Sequence, residues 1–205
     1  MEKRLFKLGP FRLPARLAAG RVEEFQLFFY RFGDEQFYVL VKRNIEKGQS
    51  VLVRVHSACS FGNVFHSQRC DCGEQLDAAM ELIAKEGGIL IYAWGQEGRG
   101  VGFENHVLAY MKQDEGLDTV DSYLALGLPV DKRNYSLAAD ILKDFGIRKI
   151  RLLTNNPKKI EGLESCGIEV ERVPLTVKLS RFNESQLKVK KEKLGHLYEM
   201  EGMLQ

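Results

Sequence analysis

Ile150-Arg151-Leu152-Leu153-Thr154-Asn155-Asn156-Pro157-Lys158-Lys159 joins a short apolar run to a helix start, and that junction sets the fold class. Residues 150–153 read as a buried strand. Asn156 is placed to cap the following helix, and Pro157 falls in its first turn, where no backbone donor is needed. Working outward, the same order recurs. Leu76, Ala79, Met80 and Ile83 give helical spacing over 74–86, ended by Gly87-Gly88, and residues 89–93 then read as a short buried strand. A helix is expected after the 96–102 loop, through Tyr110 to residue 113. Residues 135–145 read as helical up to Gly146, and 188–200 as a charged helix. Upstream, 25–30 and 36–41 are rich in aromatic and β-branched residues around a Gly33-Asp34 turn, and 50–56 alternates. Strands come first and then alternate with helices, which predicts an α/β fold, a mixed sheet with flanking helices. One domain over 1–205 is expected; the boundary near residue 87 is too soft to divide it.

The chain has 205 residues, 44% hydrophobic and 28% charged, a composition ordinary for a soluble globular enzyme. A net charge of +2 gives no field that would argue for nucleic acid. No apolar run approaches the ~20 residues that span a bilayer, and no signal peptide is visible at the start. The expected setting is a reducing cytoplasm, with no membrane partner. Clustered cysteines there serve metals or catalysis more often than disulfides.

Three of the four cysteines fall between residues 59 and 72: Cys59, Cys70 and Cys72. Thiolates bind zinc, and three of them leave a tetrahedral ion one open position, the mark of a catalytic site. Closure by Cys166, His56 or His66 would instead make a structural knuckle. The spacing puts the open site slightly ahead. Gln96-Glu97-Gly98-Arg99-Gly100-Val101-Gly102 is a glycine-rich loop able to approach an anion, a weak signal alone. Residues 154–159 are a better phosphate candidate: a strand delivers the loop, and a helix N-terminus with two lysines follows. Asp131-Lys132-Arg133 by default reads as a solvated turn, Tyr110 as packing, and His196 as structural or exposed.

Arg54-Val55-His56-Ser57, the Cys59…Cys70-Asp71-Cys72-Gly73 cluster with Gln75, Gln96 to Gly100, Asp118-Thr119-Val120 and the 152–159 stretch occur in one order. In that order and spacing the chain strongly resembles GTP cyclohydrolase II of riboflavin biosynthesis, over about residues 10–198. No segment resembles dihydroxybutanone-phosphate synthase, so a stand-alone form is expected. The resemblance implies hydrolytic opening of the GTP imidazole ring, with release of formate and pyrophosphate. It implies Zn2+ on Cys59, Cys70 and Cys72, with a water on the ion attacking the carbon between the imidazole nitrogens, and Mg2+ with the triphosphate. It further implies that Tyr110 supports hydrolysis, that Asp131 accepts a proton, and that Arg133 is a nucleophile toward the α-phosphate. Arg54, Val55, His56, Ser57, Ala58, Gln75, Glu97, Gly98, Arg99, Thr119, Thr154 and Lys159 fall on nucleotide-contacting positions, and a homodimer is expected.

The chain departs from the usual pattern at Ala58 (glutamate), Phe61 (threonine), Asn63 (aspartate), Gly95 (arginine), His106 (lysine), Tyr123 (asparagine) and Asn134 (aspartate). Two further readings follow: a divergent paralogue with altered substrate or partial reaction, and a non-catalytic nucleotide-binding protein with a structural zinc. A nucleic-acid module fits poorly, since no basic face with stacking aromatics stands out.

Overall fold

In the computed structural model, residues 5–43, 49–175 and 178–198 are described. The strands are β1 (Leu5–Arg16), β2 (Val22–Phe32), β3 (Glu35–Lys42), β4 (Val51–Ser57), β5 (Gly88–Ala93), β6 (Lys149–Leu153) and β7 (Glu169–Val173). They form one sheet in the order β1-β2-β3-β5-β4-β6-β7. Pairs from β1 through β5 are antiparallel, and β5-β4, β4-β6 and β6-β7 are parallel. The helices are α1 (Ser60–Asn63), α2 (Cys72–Glu86), α3 (Phe103–Asp114), α4 (Thr119–Ala125), α5 (Ser136–Asp144), α6 (Pro157–Glu164) and α7 (Glu184–Leu194), with a 3-10 stretch at Trp94–Gly100. The mixed α/β class read from the sequence is the one observed.

Side chains of opposite parity on the central strands build the two faces. Val53, Val55, Ile91 and Leu152 pack with Ile141 and Leu142 of α5 and Leu163 of α6. Leu52, Leu90 and Leu153 pack on the other side with Ala79 and Ile83 of α2. Helices on both faces bury a parallel strand completely. The alternation expected for 50–56 is therefore absent in burial: every residue from Val51 to His56 is buried. Arg54 and His56, 3% and 1% exposed, are polar side chains in a core strand, and burial of that kind requires partners.

The helix over 74–86 is found at Cys72–Glu86 with Gly87 as C-cap, and that over 135–145 at Ser136–Asp144. Asn156 caps α6 by accepting from the Lys158 amide at 3.0 Å, with Pro157 in its first turn. The 188–200 helix is corrected to Glu184–Leu194. It stops at Gly195, whose φ of 66° is left-handed, and residues 199 and 200 lie outside the described residues. Four elements were not read from sequence. In β1 the prolines at 10 and 14 disguise an edge strand, where missing donors are tolerated. β7 is a charged edge strand, and α1 and α4 are too short for periodicity.

Candidate functional site

The loops after β4, β5 and β6 leave the carboxyl ends of parallel strands, where ligands of open α/β sheets bind. They carry the segments following Ser57, Ala93 and Leu153 to one cleft of about 870 Å³.

Cys59 caps α1 through its sulfur, which accepts from the Gly62 amide, while Cys70 and Cys72 stand at the start of α2. All three cysteines are free, and their sulfurs lie within 4.8 Å of one another. Cys59 and Cys70 sulfurs are 3.8 Å apart. A tetrahedral zinc with ~2.3 Å bonds to sulfur needs about that separation. The two ligand loops touch at glycines: a Cβ on Gly62 would meet Cys70 Sγ at 3.0 Å, and one on Gly73 would meet the Gly62 carbonyl at 2.6 Å. The donor set and this cradle suit a thiophilic ion. Hydrogen bonds from the Cys59 and Cys72 thiols hold the Cys70 pKa well below the ordinary thiol value.

None of the three candidate closing ligands joins the thiols. Cys166 packs against the core, and His66 sits exposed in the loop after α1. His56 accepts at Nδ1 from Arg54 Nη2 (3.4 Å), donates from Nε2 to Asn63 Oδ1 (3.3 Å), and stacks on Tyr92. Burial, together with Arg54 and Lys159, keeps its pKa well below the ordinary value.

The other wall is cationic. Arg54 donates to the Leu153 carbonyl (2.8 Å) and to Gln75 Oε1 (2.5 Å). Lys159 donates to the Val55 carbonyl at 2.7 Å and is 4% exposed. Its pKa is held well below normal by burial and by Arg54 and Arg133. Arg133 pairs with Asp131 through two prongs, Nε to Oδ1 at 2.9 Å and Nη2 to Oδ2 at 2.7 Å, and reaches Ser57 Oγ at 3.3 Å. Lys190 is paired with Asp71. Arg54, Arg99 and Lys159 have no salt bridge among the described residues. Buried cations without counterions are costly unless a ligand supplies the charge, so buried Arg54 and Lys159, with half-buried Arg99 beside them, could take up an anion. Gly98 and Arg99 both adopt left-handed φ, 58° and 60°, in the turn that carries Arg99. For arginine this is an uncommon conformation of the kind stored at functional sites.

Of the residues singled out from sequence, Arg54, His56, Ser57, Gln75, Gly98, Arg99, Tyr110, Thr119, Arg133, Thr154, Lys159 and the three cysteines line the cleft. Val55, Glu97 and Asp131 do not, and act through neighbours. Val55 offers its carbonyl to Lys159, Asp131 holds Arg133, and Glu97 bonds His106 Nδ1 (2.7 Å) and the Ser60 amide (2.8 Å). Lys158, one residue from Lys159, is exposed, because adjacent helical positions face apart. Tyr110 brings a buried hydroxyl without a hydrogen-bond partner, whose ionisation is pushed up by burial and then by the thiols.

Sequence reading missed Asp71 and the C-terminal residues Lys190, His196 and Tyr198. Asp71 is fully buried and accepts from Lys190 (2.6 Å), Tyr198 (2.8 Å) and Gln75 (2.5 Å). Burial would raise its pKa, but Lys190 and these hydrogen bonds hold it down to about 2. Its place between two cysteines was a signal; its partners lie 119 and 127 residues away and gave none.

The fold and the cleft define an α/β protein with a three-thiol cluster and a cationic wall at the carboxyl ends of its parallel strands. Residues 12–174 match the model of the GTP cyclohydrolase II family, and the chain belongs to that family. It is 47% identical over 200 residues to riboflavin biosynthesis protein RibBA of Salinispora tropica, covering 96% of this chain and 49% of the relative. It is 49% identical over 179 residues to RibBA of Aquifex aeolicus, covering 85% and 44%. It is 48% identical over 202 residues to the monofunctional riboflavin biosynthesis protein RIBA 3, chloroplastic, of Arabidopsis thaliana, covering 96% and 38%. The chain thus spans about half or less of the length of these relatives. Among the described residues no helix is long and apolar enough to cross a membrane.

Proposed function

We propose that the chain opens the imidazole ring of GTP by hydrolysis, releasing formate and pyrophosphate and leaving a diaminopyrimidinone ribosyl phosphate. One observation carries this reading: the thiol triad and the unpaired cations Arg54, Arg99 and Lys159 line the same cleft. A ligand with a polyphosphate at one end and a ring at the other satisfies both. Zn2+ on Cys59, Cys70 and Cys72 would supply Lewis acidity and lower the pKa of water at the ring.

In this reading Arg54, Lys159 and the α6 N-terminus hold phosphate oxygens. Arg133 contacts phosphate as a guanidinium, a group that stays charged with or without its two-pronged pair with Asp131. Asp131 is free to accept a proton once Arg133 turns to phosphate. Tyr110 remains a neutral phenol and donates a hydrogen bond to the ring being opened. Asp71 and Asp131 are both in salt bridges, so Mg2+ is assigned to the oxygens of the triphosphate. The exposed apolar side chains Leu5, Phe6, Leu8 and Phe11 of the edge strand β1 support a homodimer. Light scattering should return twice the chain mass, and a monomer at all concentrations removes that part.

The test is incubation of zinc-loaded protein with GTP and Mg2+, followed by chromatography and formate assay. Formate, pyrophosphate and the pyrimidine should appear together, vanish on zinc removal and return with zinc. Full activity after complete zinc removal overturns the reading. A second reading, a divergent paralogue with a partial reaction, is favoured by Ala58, His106 and Tyr123, departures that line the cleft. Pyrophosphate without formate would assign it.

A further inference from the structure

The family match ends at residue 174, yet the chain returns to the cleft after it. Residues 184–198, α7 and the turn that follows, are fastened there at several points. Lys190 and Tyr198 bind Asp71, between the metal-site cysteines, at 2.6 and 2.8 Å. The Leu197 amide donates to the Asn155 carbonyl at 2.8 Å, beside the α6 N-terminus, and Lys193 pairs with Asp121 of α4 at 2.9 Å. Gln186 and Lys190 are four residues apart on one helical face, and both line the cleft with His196 and Tyr198.

This wall is chemically unlike the one opposite. Its lysine is committed to Asp71, and burial followed by Lys190 and Arg133 lowers the His196 pKa to about 3, so the imidazole is neutral. Gln186 Oε1 and His196 Nδ1 are buried and have no hydrogen-bond partner. Buried polar atoms are nearly always paired, and two orphans on one wall of a cleft are vacancies for a ligand. Phosphate belongs with Arg54, Arg99 and Lys159. An uncharged amide and imidazole suit the uncharged end of the ligand. An acceptor such as Gln186 Oε1 needs an N–H: guanine supplies them side by side at N1 and the exocyclic N2, where adenine has a lone pair and a C–H, and adenine's own donor stands at N6, where guanine has a carbonyl.

We propose that residues 184–198 form the base-reading wall of the cleft, with Gln186 and His196 as specificity-determining contacts to the guanine edge. This rests on the nucleotide reading above. The test is calorimetric binding, to zinc-loaded protein with Mg2+, of 7-deaza-GTP, 7-deaza-ATP and inorganic tripolyphosphate. The deaza ring carries carbon in place of N7, so C8 is no longer an amidine carbon and the ring is not opened. The protein should prefer 7-deaza-GTP over 7-deaza-ATP by about tenfold or more. Gln186→Leu and His196→Phe should each weaken 7-deaza-GTP by about tenfold, equivalent to about 1.4 kcal/mol. Each should also erase most of the preference while leaving tripolyphosphate binding and the melting temperature unchanged. The two positions lie on separate elements, so loss of fold in one variant leaves the other decisive. Variants that keep the preference, or that lose tripolyphosphate equally, overturn the role of this wall. A parent protein that binds neither 7-deaza-GTP nor tripolyphosphate overturns the nucleotide reading itself.

Discussion

Replacing Lys159 by methionine should stabilise the empty protein and disable it at once. The ammonium is 4% exposed, has one hydrogen bond, to the Val55 carbonyl, and has no salt bridge among the described residues. Losing that bond removes about 1 kcal/mol. Removing an uncompensated buried charge returns several kcal/mol in comparable cases, so a net gain of about 1–3 kcal/mol is expected. For a chain of this length that raises Tm by about 2–12 °C. The pH dependence has a defined sign. The folded pKa of Lys159 lies below its unfolded value. Between the two values the unfolded chain binds the proton and the folded chain does not, so parental stability climbs with rising pH across that window. Lys159→Met lacks the increment, and its advantage should shrink toward high pH. Binding moves the other way. One charge-assisted contact to phosphate is worth about 1.5–3 kcal/mol, or roughly tenfold to a hundredfold in affinity. Thermal melts with and without tripolyphosphate read both effects. At 100 times its Kd the anion should stabilise the parent by about 2.7 kcal/mol, and the variant far less at the same concentration. A variant that melts lower than the parent when empty, and still shifts fully with tripolyphosphate, refutes the view of Lys159 as an anion-awaiting cation.

Cys70→Ser should abolish stoichiometric zinc, and the thiolate charge-transfer bands of the cobalt-substituted protein should weaken; unchanged metal content by elemental analysis would count against the triad. Tyr110→Phe removes a hydroxyl that has no partner, so Tm should stay within about 1 °C while turnover falls at least about tenfold; equal loss of both would reduce Tyr110 to packing. Asp71→Asn strips the partner from Lys190 and should lower unfolding free energy at pH 7 by about 2–4 kcal/mol. Because the folded pKa of Asp71 is about 2, below its ordinary 3.8, that contribution is present above about pH 4. The gap between parent and variant should close as pH falls toward 2, which denaturant titrations at several pH values would show.

The parts of this molecule that were legible in sequence share one property: their cause is local. Asn156 and Pro157 start a helix by backbone chemistry that a few residues contain, and 89–93 is apolar because helices cover both faces of β5. The motif order carried the site further than spacing did. It raised Asp131, Arg133 and Tyr110 above packing, and Tyr110 and Arg133 do line the cleft. What could not be read depends on distant pairs. Nothing near Lys190 or Tyr198 announces that Asp71 lies beside them, and nothing in β1 announces that an edge will excuse its prolines. His196, in no motif, reads in sequence as structural or exposed. In the fold Gly195 ends α7 in the left-handed conformation, and His196 follows into the cleft.

Several departures from the family pattern, Ala58, Asn63, Gly95, His106 and Asn134, look in sequence like a loss of charge, and the structure separates them. Asn63 accepts from the Cys59 amide (3.2 Å) and from Tyr92 (3.0 Å), and donates to the Cys72 carbonyl (3.1 Å). An aspartate cannot make that last bond, so the amide ties the two cysteine loops together where a carboxylate would only accept. His106 answers Glu97 as a lysine would, with Nδ1 donating to a carboxylate that the Ser60 amide also holds. Gly95 leaves room for the Glu35 carboxylate, which stands where a Cβ would be, and it lies off the cleft. Asn134 caps the approach to α5, with Oδ1 accepting from the Ser136 amide. Each of these four keeps its local bonding satisfied by other means. Ala58 does not. It lines the cleft between Ser57 and Cys59, 4% exposed, and its methyl group offers neither proton nor lone pair. A change in the reaction that left the three thiols intact would therefore enter through a proton or water missing at Ala58, not through Asn63.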